Sequence, residues 1–249
     1  MPAAAKIAMF FKALTVTAVL SACSVGTDPT AIHDPYEPVN RVTHRVNSEV
    51  DRALLRPVSQ VYGTLVPRPV RSSVDNAASN LGLPAAVLNK ALQGDFESAI
   101  HNFARFAVNT TLGVFGLFDP AQDFGLEERD TDVGETLASW GTNEGAYVVL
   151  PLFGPSTERD TVGRIVDAVT NPVALAFPNL DDERLAAVVT ENVNARYEFT
   201  DTIDSILYDS ADSYAQLRLF YLDSNRAGQD TDTNDAALEE FYDDLIFAE

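Results

Sequence analysis

Ala146-Tyr147-Val148-Val149-Leu150-Pro151-Leu152-Phe153-Gly154-Pro155 is a nearly unbroken apolar run carrying two prolines. Proline has no ladder donor, so neither position suits a central strand. The run is about half the roughly 20 residues that cross a bilayer as a helix. It therefore reads better as an interfacial or re-entrant hairpin than as a strand in a globular core. Gly141-Thr142-Asn143-Glu144-Gly145, just before it, reads as a flexible connection.

Outward from this run, the chain reads as amphipathic helices joined by short Pro/Gly corners. Val42, Val46, Val50 and Leu54 recur at near-helical spacing after the turn Asp34–Arg41, and Arg56-Pro57 is expected to end that helix. A second helix is expected between Pro69 and Leu81, broken at Gly82 and Pro84, with Pro84 opening a third. Gln93-Gly94-Asp95 closes the third, Gly94 serving as left-handed cap and Asp95 as N-cap of the next. Phe96, Ile100, Phe103, Ala107 and Val108 line one side of that helix. Leu112–Phe118 is apolar all round and too short to span, so it is either buried core or a segment at membrane depth. Further helices are expected from Asp160 to Val169, with Ser156 as a cap, from Asp181 along the stripe Leu185, Val188, Val189, Val193 and Tyr197, and from Asp212 to Leu222. The fold class is all-α.

The first 22 residues have a positive n-region, Lys6 and Lys12, and a short apolar segment ending in Leu20-Ser21-Ala22-Cys23. This is a lipoprotein signal, cleaved before Cys23, the chain's one cysteine. Acyl chains such as palmitate on Cys23 would anchor the protein, each buried CH₂ contributing about 0.8 kcal/mol. Ser24 in place of Asp points to the outer membrane. Residues 23–33 read as a lipidated tether, 34–227 as the helical domain and 228–249 as an acidic tail. With 17 basic and 37 acidic residues the net charge is −20, and the signal holds two of the lysines and no acid. Nucleic acid is excluded as a partner. Contact with an anionic membrane surface must be apolar or be carried by arginines such as Arg56, Arg68 and Arg71. In the tail, Leu238, Phe241, Tyr242 and Leu245 form an apolar stripe among acids. It reads either as a helix that docks a basic carrier or as a solubilising or self-packed segment.

Catalytic patterns do not emerge. His33, His44 and His101 stand in no ligand spacing, and Gly154-Pro155-Ser156 lacks the second glycine of a nucleophile elbow. Neither enzyme activity nor a cofactor or metal is expected.

Four ordered motifs carry a resemblance. They are Asp34-Pro35-x-Glu37-x-x-Asn40-Arg41, Gln93-Gly94-Asp95, Arg105-x-x-x-Asn109-Thr110-x-x-Gly113-x-x-Gly116-x-x-Asp119 and Tyr147-Val148-Val149-Leu150-Pro151-Leu152-x-Gly154-Pro155-Ser156-Thr157-x-Arg159-Asp160. With Asp212-x-Tyr214-x-x-x-Arg218-x-x-Tyr221 they resemble the MlaA (VacJ) family of outer-membrane lipoproteins. The resemblance implies a ring of helices in the periplasmic leaflet around an amphipathic phospholipid channel. Such a channel removes mislocalised phospholipids from the outer leaflet and passes them to a periplasmic carrier that feeds an inner-membrane ABC transporter. It also implies association with porin trimers. Gly141, Gly145, Tyr147, Leu150 and Pro151 would form the hairpin gate near the pore, with polar or arginine contacts for headgroups. The alternative is a structural adaptor lipoprotein, bound to porins or envelope machinery, that conducts no lipid.

Overall fold

The computed structural model describes residues 32–177 and 181–226. The signal, Cys23 and the tail residues Leu238, Phe241, Tyr242 and Leu245 lie outside the described residues.

The first helix does not stop at Arg56-Pro57. Helix α1 (Glu37–Val50) passes through a π-helical turn (Asp51–Leu55) into α2 (Arg56–Leu65). Pro57 falls in the first turn of α2, where the looser π turn leaves its missing N–H without consequence. The π turn also keeps a stripe in register. Val39 and Leu65 are 26 residues apart, whereas about 25 make seven α-turns. The extra π residue absorbs the difference, so Val39, Val42, Val46, Leu54, Val58, Val61 and Leu65 are all exposed along one stripe.

The expected break at Gly82 and Pro84 is likewise absent, because α3 runs unbroken from Arg68 to Gln93. An interior proline costs about 3 kcal/mol. Packing offsets it, since Leu83 and Ala86 on either side of Pro84 are buried. Gly94 then caps α3 at φ 86°, and Asp95 accepts from the Ser98 N–H to cap α4 (Phe96–Thr111), both as expected.

After the short α5 (Pro120–Asp123) and α6 (Val133–Ser139), the apolar run forms a β-hairpin. Strand β1 (Tyr147–Leu150) pairs antiparallel with β2 (Gly154–Thr157), Tyr147 opposite Thr157 and Leu150 opposite Gly154. The prolines are tolerated because a two-stranded ribbon has only edges: Pro151 sits in the turn and Pro155 on an edge strand. The stem belongs to the core after all, with Tyr147 and Val149 clustered on Tyr214 and Leu222. Only the tip, Pro151, Leu152 and Phe153, is exposed. Helix α7 (Glu158–Thr170) follows, and its cap is Thr157, which accepts from the Asp160 N–H. Ser156, expected in that role, is fully buried and donates to the Thr157 carbonyl. Short α8 (Pro172–Ala176), then α9 (Asp181–Glu198), α10 (Thr200–Leu207) and α11 (213–226) complete the fold.

Packing between these elements runs in a closed circuit. Helix α2 packs on α9, α9 on α3, α3 on α6, α6 on α7, α7 on β2, and β1 on α1, which leads back through the π turn to α2. Among the described residues no helix is long and apolar enough to cross a membrane.

Candidate functional site

The polarity of the ring is inverted. Among the described residues, twenty polar or charged residues are buried against eleven apolar ones, whereas over thirty large apolar side chains are exposed. Soluble domains show the opposite. Helix α4 displays the inversion on its two faces: Phe96, Ile100 and Phe103 point outward, while Ser98, Asn102, Arg105 and Asn109 are buried. Those inward groups bind the acidic loop behind them. Asn102 donates to the Arg129 carbonyl and accepts from its N–H; Arg105 reaches the Leu126 carbonyl and Asp119; Asn109 bridges Asp119 and the Ala121 N–H. The spacing of Arg105, Asn109 and Asp119 in the third motif thus has a structural cause: α4 sews the loop to the ring interior.

Asn40 and Asn47, two turns apart on α1, do the same for the hairpin. Asn40 donates to the Tyr147 carbonyl and accepts from the Val149 N–H, each at 2.9 Å. Asn47 donates to the Leu150 carbonyl and accepts from the Leu152 N–H at 2.9 and 2.8 Å. Two amides therefore replace a missing third strand along β1. Asn40 also donates to Asp34, whose other oxygen accepts from Tyr214 and from Arg218 at 2.6 Å. Replacing Asn40 by leucine leaves a buried N–H and carbonyl unpaired, and is expected to lower stability by about 2 kcal/mol, read as a shift in thermal midpoint.

An open cavity of about 570 Å³ lies between α3, α9, the acidic loop and the C-terminal end of α7. Its apolar lining comes from Ala78, Leu81, Gly82, Ala85 and Ala86 of α3 with Ala187 and Val188 of α9; its polar lining includes Glu128, Asp130, Asp132, Asp167 and Glu191. Among the described residues the lining holds no arginine or lysine. Of the arginines that could carry a contact with the membrane surface, Arg56 pairs with Asp204 at 2.5 Å, and Arg71 is buried against Asn194 at 2.6 Å. None of Gly141, Gly145, Tyr147, Leu150 and Pro151 lines the cavity. No spacing in the sequence signals the acidic lining, because the acids come from a loop and two helices far apart in the chain.

Burial holds Glu128, Asp132, Asp167 and Glu191 above the usual carboxylate range. A carboxyl raised in the folded state stabilises below its unfolded pKa, and that contribution is lost as pH rises through the folded value. Asp212, held down to about 2 chiefly by the Arg41 guanidinium, acts in the opposite sense, its contribution lost as pH falls from about 4 toward 2. Moving from pH 7 toward pH 5 is therefore expected to raise the thermal midpoint, the four carboxyls together outweighing the opposing group, buried His44, whose imidazole is lowered by desolvation; a midpoint that falls steadily with acid would contradict this assignment.

The histidines serve the fold. His44 is buried, hydrogen bonded to Ser213 at 2.9 Å and set edge-on to Tyr214, and His101 contacts the Glu127 carbonyl at 2.7 Å.

A circuit of helices closed through one β-hairpin, apolar outside and polar within, with an amphipathic cavity in it, defines a mostly helical protein that presents hydrocarbon-compatible faces outward. The chain belongs to the MlaA lipoprotein family, whose model matches residues 32–228. It is 33% identical over 214 residues, 84% of this chain and 83% of the relative, to the intermembrane phospholipid transport system lipoprotein MlaA of Escherichia coli strain K12. It is also 33% identical over 188 residues, 75% of this chain and 73% of the relative, to an uncharacterised protein of Rickettsia bellii. A chain solved in work on the structural basis for maintenance of bacterial outer membrane lipid asymmetry superposes with a TM-score of 0.69 at 32% identity, covering 79% of this chain and 98% of that one.

Proposed function

We propose that this protein is an envelope lipoprotein, anchored through Cys23 in the periplasmic leaflet of the outer membrane, that carries phospholipid through its cavity. It acts in intermembrane phospholipid transport, as the Escherichia coli relative's name states for that protein. The observation that carries this reading is the inverted polarity: faces such as Phe96, Ile100 and Phe103 gain by meeting acyl chains and lose by meeting water. Inside, the apolar part of the cavity accepts a tail while the polar part keeps a headgroup out of hydrocarbon. Retrograde direction, delivery to a periplasmic carrier that feeds an inner-membrane ABC transporter, and seating beside a porin trimer belong to the same proposal. The tail stripe Leu238, Phe241, Tyr242 and Leu245 is proposed as the carrier's docking element, to be checked by deleting it and measuring carrier binding. Outer-leaflet phospholipid exposure tests the whole: it should rise when the gene is deleted, return to normal with the wild type and stay high with Cys23→Ala.

The loop Gly141–Gly145 is proposed as the gate. Both glycines are left-handed, at φ 84° and 75°, a region closed to proline. The loop leads back through α6 to Asp132, which lines the cavity and caps α6 by accepting from the Glu135 N–H. Gly141→Pro or Gly145→Pro is expected to cut lipid removal several-fold in protein that retains its helical circular dichroism; unchanged asymmetry would sink the gate. The adaptor alternative draws on one observation, the buried stem of the hairpin.

A further inference from the structure

Three residues other than glycine adopt left-handed backbone among the described residues: Val114 at φ 54°, Phe115 at 59° and Leu152 at 66°. Such conformations are unfavourable for bulky side chains, most of all a β-branched one, and aqueous turns place Gly or Asn there. All three are large, apolar and exposed, at 51%, 81% and 73%. The strain is imposed by the frame beneath. In the first turn, Gly113 has no room for a Cβ, which would lie 2.3 Å from the Phe118 carbonyl oxygen, and Gly116 sits against Asn80. In the second, Asn47 grips the backbone on both sides of Pro151. Each turn is thus held rigidly with its apolar side chains outward.

Two further features indicate what covers them. Leu112–Phe118 and Pro151–Pro155 contain no polar side chain, which fits poorly with a protein interface anchored by Trp, Tyr and Arg. The backbone of the first turn is also largely closed on itself: six of its seven N–H groups, all but that of Val114, donate to carbonyls between Val108 and Val114. A water-facing turn needs no such closure, whereas one immersed in hydrocarbon requires it. The tether adds proximity. Tyr147 N–H donates to the His33 carbonyl, so the chain enters the fold at the hairpin, ten residues after Cys23. Fully extended, those residues reach about 30 Å.

We infer that the turns Leu112–Phe118 and Leu152–Phe153 are two rigid wedges that insert among the acyl chains of a lipid leaflet and fix the depth of the ring. This rests on the reading of the protein as a membrane-seated lipoprotein, and the test separates the two. Trp140 is the chain's one tryptophan. In full-length acylated protein carrying Trp140→Phe, a tryptophan is introduced singly by Phe115→Trp, Phe153→Trp or, on the outer stripe of α4, Ile100→Trp. Each variant is reconstituted into phosphatidylethanolamine/phosphatidylglycerol vesicles whose acyl chains carry bromine, and acrylamide probes from the water. The expected result is that probes at 115 and 153 are quenched by the acyl bromines at least as strongly as the probe at 100, and that acrylamide quenches them several-fold less than it does free tryptophan. If the probe at 100 is quenched by bromine while those at 115 and 153 remain open to acrylamide, the wedges are wrong and the membrane reading stands. If none of the three is quenched by bromine, both fall. The substitutions exchange one exposed apolar side chain for another, so folding is preserved. As an independent check, Phe115→Gly with Leu152→Gly relieves the strain. It is expected to raise thermal stability in detergent while weakening binding of unacylated protein to the same vesicles about tenfold; unaltered binding would overturn the proposal.

Discussion

Gly82→Phe is expected to leave the protein folded and to abolish lipid removal, with outer-leaflet phospholipid exposure rising to the level of the deletion. Gly82 lines the cavity, and a Cβ added there meets nothing within 4 Å. Glycine in a helix interior is unfavourable by roughly 0.5–1 kcal/mol relative to alanine, so the substitution relieves a backbone cost in α3 while filling open space. The thermal midpoint should stay within a few degrees of wild type. A phenyl ring placed among Ala78, Leu81, Ala85 and Ala86 occupies the part of the lining that would accept a tail. Gly82→Ala, which fills little, should retain activity. The pair of variants separates the conduit from the adaptor, because an adaptor that conducts nothing is indifferent to a plugged cavity. Activity preserved in Gly82→Phe, with the fold intact, would move the assignment to the adaptor.

Much of this architecture is legible in the residues before any coordinates, and the failures have identifiable causes. The period of Phe96, Ile100 and Phe103 gives the apolar face of α4 correctly, but periodicity says only that a face must be covered, not by what. Its outward direction follows from the polar residues between them, which prove to be the buried set. Caps are local and therefore readable: Gly94 and Asp95 behave as their chemistry dictates. The helix ends at Pro57 and Pro84 are misread for two different reasons. At Pro57 a π turn supplies a place where the missing donor is harmless, and nothing in the neighbouring residues announces one. At Pro84 tertiary packing of Leu83 and Ala86 overrides a local penalty. The hairpin was legible as a hairpin, but the alternation of buried Tyr147 and Val149 with half-buried Val148 and Leu150 was hidden by side chains that are apolar on both faces. The acidic cavity lining is the least legible element. In a chain with 37 acids, the approach of Glu128, Asp132, Asp167 and Glu191 is decided by the closure of the ring alone.

A buried ion pair ties the π turn to α9 in this circuit, and breaking it should have the largest effect on stability. Arg196 of α9 meets Asp51 of the π turn in a two-point contact, Nε to Oδ1 at 2.8 Å and Nη2 to Oδ2 at 3.0 Å, and both side chains are buried. Arg196 also binds Asp204 at 2.6 Å, and Asp204 in turn holds Arg56. Tyr208 donates to Asp51, and burial together with that carboxylate pushes its phenol up to about 12. Arg196→Leu removes the cation and leaves Asp51 buried with only the phenol as partner. Breaking a buried pair in this way costs about 3–5 kcal/mol, a large share of the 5–15 kcal/mol that holds a typical domain together. The desolvation cost belongs to the pair, however, so removing both charges is far less harmful than removing one. The double variant Asp51→Leu with Arg196→Leu should recover at least half of the loss, giving a coupling of about 1.5 kcal/mol or more in a denaturation cycle. If the two losses simply add, the pair contributes nothing as a unit and the junction of the π turn with α9 is held by its apolar packing. Because this junction joins the first helices to α9, which lines the cavity, Arg196→Leu should also lose lipid removal, and the double variant should regain it in step with its stability.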